Sequence, residues 1–289
     1  MLSLDPKSLS NSKLHSYLLS AVAPRPIALA STIDADGQAN LAPFSFFNVF
    51  SANPPIVVFS PLLREKNNSE KHTLKNCIAT KEVVINVVNF EMVHQTSLSS
   101  ANYEEGVNEF EKAGLTMLKS DVVKPFRVAE SPIQLECKIN DIIALGKEGG
   151  AGSLIICEVL KIHIDEDVLT NDGNINQQKL DLVARAGGNF YSRAKKGFFE
   201  IPKPAANLGI GVADFPEEIK NSMVLTGNDL GMLATIEKLP NQNEVNAFIK
   251  NISESYPNIK TASQREKHKL ARNYLSFNAV ENAWKLLLS

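Results

Sequence analysis

What this chain is short of narrows its function first. It has only three cysteines, Cys77, Cys137 and Cys157, far apart and without CxxC spacing. An odd, scattered set argues against a disulfide framework or a zinc site. Each lies in an apolar run, which predicts buried thiols in a reducing compartment. Neither sign of charge is in excess. The formal net charge of -2 gives nucleic acid or an anionic membrane no electrostatic hold. No apolar run approaches membrane-spanning length. Residues 1–20 lack a basic start followed by an apolar core, so no signal peptide is predicted and a cytoplasmic protein is expected. Gly-x-Ser-x-Gly, His-Glu-x-x-His and His–Cys pairings are missing as well. No metal is expected, and no side chain stands out as catalytic.

What is present is ordinary for a globular protein, with 44% hydrophobic and 21% charged residues. The length suffices for one domain with an extension, or for two small domains. Leu14, Tyr17, Leu18 and Val22 have helical spacing, and Pro24 and Pro26 stop that helix. Residues 27–33 form an apolar, strand-length run. Asp34-Ala35-Asp36-Gly37 is a turn signal, and residues 38–42 return as the partner strand. Residues 44–50 are aromatic and strand-like, and residues 56–59 read as a strand buried on both faces. A helix is expected over 70–80, with Leu74, Cys77 and Ile78 as its apolar stripe. A strand over 83–88 and a helix over 91–100 follow, then an irregular stretch with one helical turn.

Ile133, Leu135, Cys137 and Ile139 alternate with Gln134, Glu136, Lys138 and Asn140, the pattern of a strand with one wet face. Residues 154–164 return as its partner. Gly149, Gly150 and Gly152 between them are a turn rather than a dinucleotide fingerprint, because no third glycine is correctly spaced and no helix follows. Beyond Gly197 prolines interrupt the pattern and strand signals fade. Val245, Phe248, Ile249 and Ile252 have amphipathic helical spacing. The domain reading is therefore 1–197, and 198–289 as a mostly helical extension packed on it. Six or seven strands without βαβ alternation predict a closed or nearly closed antiparallel barrel with helices outside.

Several of these runs, taken together, resemble one family. Pro24-Arg25-Pro26-Ile27-Ala28 with Ser31-Thr32, and Asn40-Leu41-Ala42-Pro43-Phe44-Ser45-Phe46-Phe47-Asn48, are similar to the flavin reductase-like, FMN-binding split-barrel family. Lys71-His72-Thr73-Leu74-Lys75-Asn76 resembles that family's Lys-Asp-Thr-x-x-Asn element, with His72 in place of the acid. Gly106-Val107-Asn108-Glu109-Phe110, residues 129–137 and Ala184-Arg185-Ala186-Gly187-Gly188-Asn189-Phe190-Tyr191 fit its texture, with Ala186 where leucine is common. The resemblance covers about the first two-thirds of the chain. It implies a mainly β fold with helices, an antiparallel, Greek-key-like split barrel. It also implies non-covalent FMN, a homodimer, and hydride transfer from NADH or NADPH to flavin. The alternatives it leaves open are a flavoredoxin-like electron carrier without nicotinamide activity, the reductase component of a two-component monooxygenase serving a partner oxygenase or other acceptor, and a split-barrel oxidase of a small amine.

The residues suggest where a flavin would sit. Ser60 ends a strand, Arg64 and Lys66 follow, and Lys71 and Thr73 stand at a helix start, where amides and dipole favour an anion. A solvated loop with a capping threonine gives the same charge pattern. With the resemblance, Arg64, Thr73, Ser60 and Lys71 are read as phosphate ligands, and Lys66 stays open. Ser31, Thr32, Ser45 and Asn48 are candidates for the ribityl chain and ring edge, or for ordinary strand-end hydrogen bonds. Phe46 is expected to act through its backbone. His163, Gly187, Gly188 and Tyr191 are candidates for the substrate pocket. A lone strand-end histidine is more often structural, the glycines serve a tight turn equally well, and Tyr191 is read as closing over the pocket.

Overall fold

The computed structural model describes residues 1–104, 106–201 and 209–289. The chain divides into two units, Met1–Phe199 and Glu200–Ser289.

The first unit opens with helix α1 (Asn11–Ala21), strands β1 (Ala28–Ile33), β2 (Ala39–Phe44), β3 (Phe47–Ala52) and β4 (Pro55–Phe59), and helix α2 (His72–Thr80). Strand β5 (Glu82–Val87), helices α3 (Val93–Leu98) and α4 (Glu109–Ala113), and short strands β6 (Met117–Leu118) and β7 (Arg127–Val128) follow. A long hairpin of β8 (Ile133–Ala144) and β9 (Ser153–Ile164) leads to α5 (Gln177–Leu180), β10 (Val183–Arg185) and β11 (Tyr191–Arg193).

Seven strands form one sheet in the order β2-β1-β5-β8-β9-β4-β3, every neighbouring pair antiparallel. The two outermost strands, β2 and β3, are joined only by Ser45 and Phe46. So short a link between opposite edges forces the sheet to curl until its ends meet, which makes a barrel split along that seam. The aromatic run at 44–50, expected as one strand, breaks at this seam. The Phe46 carbonyl there accepts the Ser60 amide.

Strand β1 explains the two-layered core. Ala28 and Ala30 point into the barrel with Phe44, Phe59, Ile85, Ile155 and the three cysteines, and α2 contributes Leu74 to that cluster. Leu29 points outward but is covered, with Leu41, by Met92, Val93 and Phe110. Burial on both faces is why the strand reads as an unbroken apolar run. The cysteines are free and buried, and burial raises the Cys77 and Cys137 thiols to about 12.

Two expectations are corrected by packing. The α1 face turned inward carries Leu14, His15 and Leu19, while Tyr17 and Leu18 are exposed. The helix is held by its end: the buried Arg25 guanidinium donates to the carbonyls of Leu19 and Val22. Gln134 and Glu136, placed by alternation on a wet face, are buried. The loop before β8 folds over them, and the amides of Asp121, Val122 and Val123 donate to Glu136.

The second unit contains α6 (Glu217–Lys220), α7 (Gly227–Leu233), α8 (Gln242–Ile252), α9 (Gln264–Ser276) and α10 (Val280–Leu287). Capping boxes at Thr226, Asn241 and Ser263 start three of them. Trp284 is fully buried at the centre, edge-on to Phe215, with its indole N–H donating to the Leu233 carbonyl at 2.8 Å. Val245 and Ile249 bury in this same cluster, so the α8 stripe finds an apolar partner within its own unit. No helix among the described residues is long and apolar enough to cross a membrane.

Candidate functional site

Two cavities open beside the seam and share Pro43 and Lys71 in their walls. The smaller, about 50 Å³, is polar and is lined by Asn40, Arg64, Lys71, His72, Thr73 and Glu109, together with residues 99–103. The larger, about 200 Å³, lies between the 43–46 segment, Ser60, the end of β10 and the α1 residues His15 and Leu19.

The smaller cavity is built around the start of α2. No side chain caps this helix, because its N-cap position is Lys71. Arg64 is folded back over its own loop: its guanidinium donates to Glu70 O and Ser69 Oγ, and its amide donates to Ser69 O. Burial and the neighbouring Arg64 both push the Lys71 ammonium below its ordinary range. That ammonium also sits 5.5 Å above the Phe44 ring centre.

Thr73 is buried and tied to the barrel wall. Asn40 Nδ2 donates to Thr73 Oγ1 at 2.9 Å and to Thr32 Oγ1 at 3.2 Å, and Asn76 Nδ2 donates to Thr32 at 3.1 Å. A threonine hydroxyl that accepts in this way still has its own proton to give. Glu109 Oε2 accepts the Leu41 amide at 2.9 Å, and burial raises its carboxyl above the ordinary range.

The larger cavity has an aromatic floor and a basic rim. Phe44 and Phe46 line it, with the His15 ring edge-on to Phe46 at 6.4 Å. Arg25 closes one side. Its guanidinium donates to Leu19 O, Val22 O, Ala186 O and Ser45 Oγ. Burial, then the charge of Arg185, lowers its proton affinity. Gly187 lets the hairpin approach α1: a Cβ there would lie 2.3 Å from Ser20 Oγ.

The fold thus gathers Arg64, Lys71 and Thr73 at one cavity and Ser45, Phe46, Ser60 and Lys71 at the next. Thr32 supports Thr73 from behind through Asn40. Other expected residues lie elsewhere. Ser31 is fully buried, its Oγ has no hydrogen-bond partner among the described residues, and it lines neither cavity. Asn48 is exposed on β3 and accepts the Val49 amide. Lys66 is exposed. His163 lines neither cavity, because its Nε2 meets Glu136 at 2.6 Å. Gly188 occupies a turn at φ +57°, and Tyr191 packs under the Arg185 guanidinium instead of closing the cavity.

His163, Glu136 and Asp121 bring three potential metal-binding atoms together. Lys161 already pairs with Asp121, and Arg127 lies 3.9 Å from Glu136 and 4.0 Å from Asp121. Two protein cations therefore hold the place an ion would take, and the cluster is an ion-pair network. The reading from sequence missed His15, Arg25, Asn40, Glu109 and Arg185 as lining residues. Signals existed for two of them: Arg25 is a charge between prolines at the head of an apolar strand, and Asn40 is an amide within one.

The comparisons with known proteins bear on the family and the fold. A family model for the flavin reductase like domain matches residues 20–183. An uncharacterized protein of Aquifex aeolicus is 37% identical over 188 residues, 65% of this chain and 93% of the relative. An uncharacterized protein of Halalkalibacterium halodurans is 38% identical over 197 residues, 68% of this chain and 93% of the relative. Among solved structures, nitrilotriacetate monooxygenase component B from Bacillus cereus superposes with a TM-score of 0.64 at 29% identity, covering 70% of this chain and 98% of that one. A split-barrel protein of Shewanella frigidimarina classed with the flavin reductases gives 0.59 at 26% identity, covering 68% and 96%. With more than half its length matched by the family model and its strands in the same barrel, the chain belongs to the flavin reductase-like domain family.

Proposed function

We propose that the two cavities hold one FMN non-covalently and that the protein transfers a hydride from NADH or NADPH to that flavin. The observation that carries the reading is the basic pair Arg64 and Lys71 at the uncapped start of α2. Among the described residues neither forms an ion pair with a carboxylate. Two adjacent cations, one pushed toward deprotonation by burial and then by the other, are stabilised by an anion between them. A phosphate meets that need: Arg64 offers a planar fork, Lys71 a point charge, and Thr73 a hydroxyl proton left over from its bond with Asn40.

The larger cavity continues from the shared Lys71 and Pro43 along Phe44, Ser45 and Phe46. Its aromatic floor suits a flat ring, and the 45–46 backbone suits the ring's polar edge. Bound flavin supplies the hydride-accepting chemistry. The chain's own residues fix the phosphate, align the ring against the seam, and exclude water with α1 and the β10 end. No acid or base is required for that alignment.

The likeness to component B of nitrilotriacetate monooxygenase supports a further step, in which reduced flavin passes to a partner oxygenase. A homodimer is the expected assembly. Val49 and Phe50 are 66% and 68% exposed on the edge strand β3, an apolar edge that a second copy would cover. The test of the activity is anaerobic mixing of FMN-loaded protein with NADH or NADPH. Prompt loss of the flavin absorbance near 450 nm is expected. Bleaching that requires an added reductase would make the protein an electron carrier instead.

A further inference from the structure

Among the described residues, every ionisable side chain lining the larger cavity is basic: His15, Arg25, Lys71 and Arg185. Arg25 and Arg185 are direct cross-strand neighbours. They form an antiparallel bridge in which each amide donates to the other's carbonyl at 2.8 Å. Side chains of such a pair leave the backbone on the same face. Neither guanidinium forms an ion pair with a carboxylate among the described residues.

The two arginines are spent differently. Arg25 gives its donors to three carbonyls and Ser45, which ties α1 to the barrel and accounts for its presence. Among the described residues the Arg185 side chain makes one hydrogen bond, from Nη1 to Phe190 O at 3.2 Å, and it lies over the Tyr191 ring at 4.6 Å. It is half-buried beside the exposed Phe190 and Tyr191, so it stands on the solvent side of the cavity. A stacked guanidinium is held in orientation while most of its fork stays available. Like charges placed side by side at a cavity wall, with no acid between them, mark a site completed by an anion.

We infer that Arg185 forms a second anion subsite, separate from the Arg64–Lys71 pair, which takes a phosphate group of the second substrate as it enters over the flavin. The inference rests on the FMN reading above, because the flavin's own phosphate must already fill the first site. The substrate class is a diphosphate-bearing electron donor such as a pyridine dinucleotide. Arg25 acts as a positioning residue that adds fixed positive charge behind Arg185.

The test uses FMN-loaded wild type, Arg185→Gln and Arg185→Lys. Inorganic pyrophosphate is titrated into each by calorimetry, and FMN affinity is measured separately by fluorescence quenching. Wild type should bind pyrophosphate. Arg185→Gln should bind it about ten- to a hundredfold more weakly, as expected for one or two charged hydrogen bonds, with a much smaller change in FMN affinity, because the FMN phosphate is held by the other pair. Arg185→Lys should fall between them and serves as the comparison if the glutamine variant does not fold.

In flavin reduction, Arg185→Gln should raise KM for the dinucleotide by about tenfold or more. The uncharged donor 1-benzyl-1,4-dihydronicotinamide carries no phosphate for Arg185 to hold, so its KM should change by much less than that of the dinucleotide. Pyrophosphate affinity unchanged by both substitutions, or lost in step with FMN affinity, overturns the subsite. Arg185-dependent pyrophosphate binding without reduction by either donor keeps the subsite and removes the reductase reading.

Discussion

His163 Nε2 and Glu136 Oε1 meet at 2.6 Å inside the barrel wall, where Glu136 is 0% exposed. Burial alone would raise the Glu136 carboxyl. The amides of Asp121 and Val122, the bond to His163 and the Val123 amide outweigh it, and the group is held below the ordinary carboxylate range. A depressed folded-state value stabilises the fold above the unfolded-state value of about 4.3. That stabilisation is lost as pH falls through the folded-state value. Glu136→Gln keeps the shape but turns an N–H group toward amide donors. It should destabilise the barrel at pH 7 by roughly 3 kcal/mol and flatten the acid limb of stability. Urea midpoints for both proteins between pH 7 and pH 3 check this. An unchanged acid limb in the variant would show that other carboxylates control it.

A second expectation concerns the network behind the anion site. Asn40 Nδ2 donates to both Thr73 and Thr32, and all three residues are buried. Thr73→Val leaves one Asn40 N–H unpaired, which destabilises the flavin-free protein by about 1–3 kcal/mol. It also removes the hydroxyl offered to the phosphate, so FMN affinity should fall. Thr73→Ser keeps the hydroxyl and should restore both. Thermal melts without flavin, paired with FMN titrations, separate the two effects. A valine variant with full stability would mean that Asn40 finds another acceptor.

How legible these features are in the sequence depends on the range of the interaction that fixes them. The β1–β2 hairpin is read correctly because Asp34 and Gly37 decide it locally: Asp34 accepts the Asp36 and Gln38 amides, and Gly37 adopts φ +85°. The break at Ser45-Phe46 is invisible locally, since aromatic residues continue on both sides; barrel closure alone requires it. Gln134 and Glu136 look solvated because the loop that buries them approaches from the chain before β8. Arg64 and Thr73 lie nine residues apart and line one cavity, so a local reading can group them. Arg25 and Arg185 become a pair only through a bridge between segments 160 residues apart in number, roughly the span at which spacing carries no information.

Association offers a third test. Phe50 lies on the edge strand and is mostly exposed, so Phe50→Asp should leave the monomer fold intact. If a second copy covers this edge, a charge there opposes its burial by several kcal/mol and shifts sedimentation from dimer to monomer. The same sedimentation coefficient for both proteins at micromolar concentration would place the interface elsewhere or show that wild type is monomeric.

The sharpest expectation is at Arg64. Its guanidinium lines the smaller cavity beside Lys71 and is oriented by Glu70 O and Ser69 Oγ. Hydrogen bonds to a charged group are worth about 1.5–3 kcal/mol each. Losing one or two therefore predicts FMN affinity lower by about ten- to a thousandfold in Arg64→Ala. Lys71→Ala should do less, because an ammonium is a point charge and the α2 amides remain. Arg64 also closes its own loop, so the substitution could act by loosening residues 64–70, and riboflavin separates the two causes. It lacks the phosphate, and it should bind wild type and Arg64→Ala almost equally if the guanidinium acts on phosphate alone. Titrating both proteins with both flavins by fluorescence quenching decides between them. Equal FMN affinity in the two proteins, or a riboflavin loss as large as the FMN loss, would remove Arg64 as the phosphate anchor.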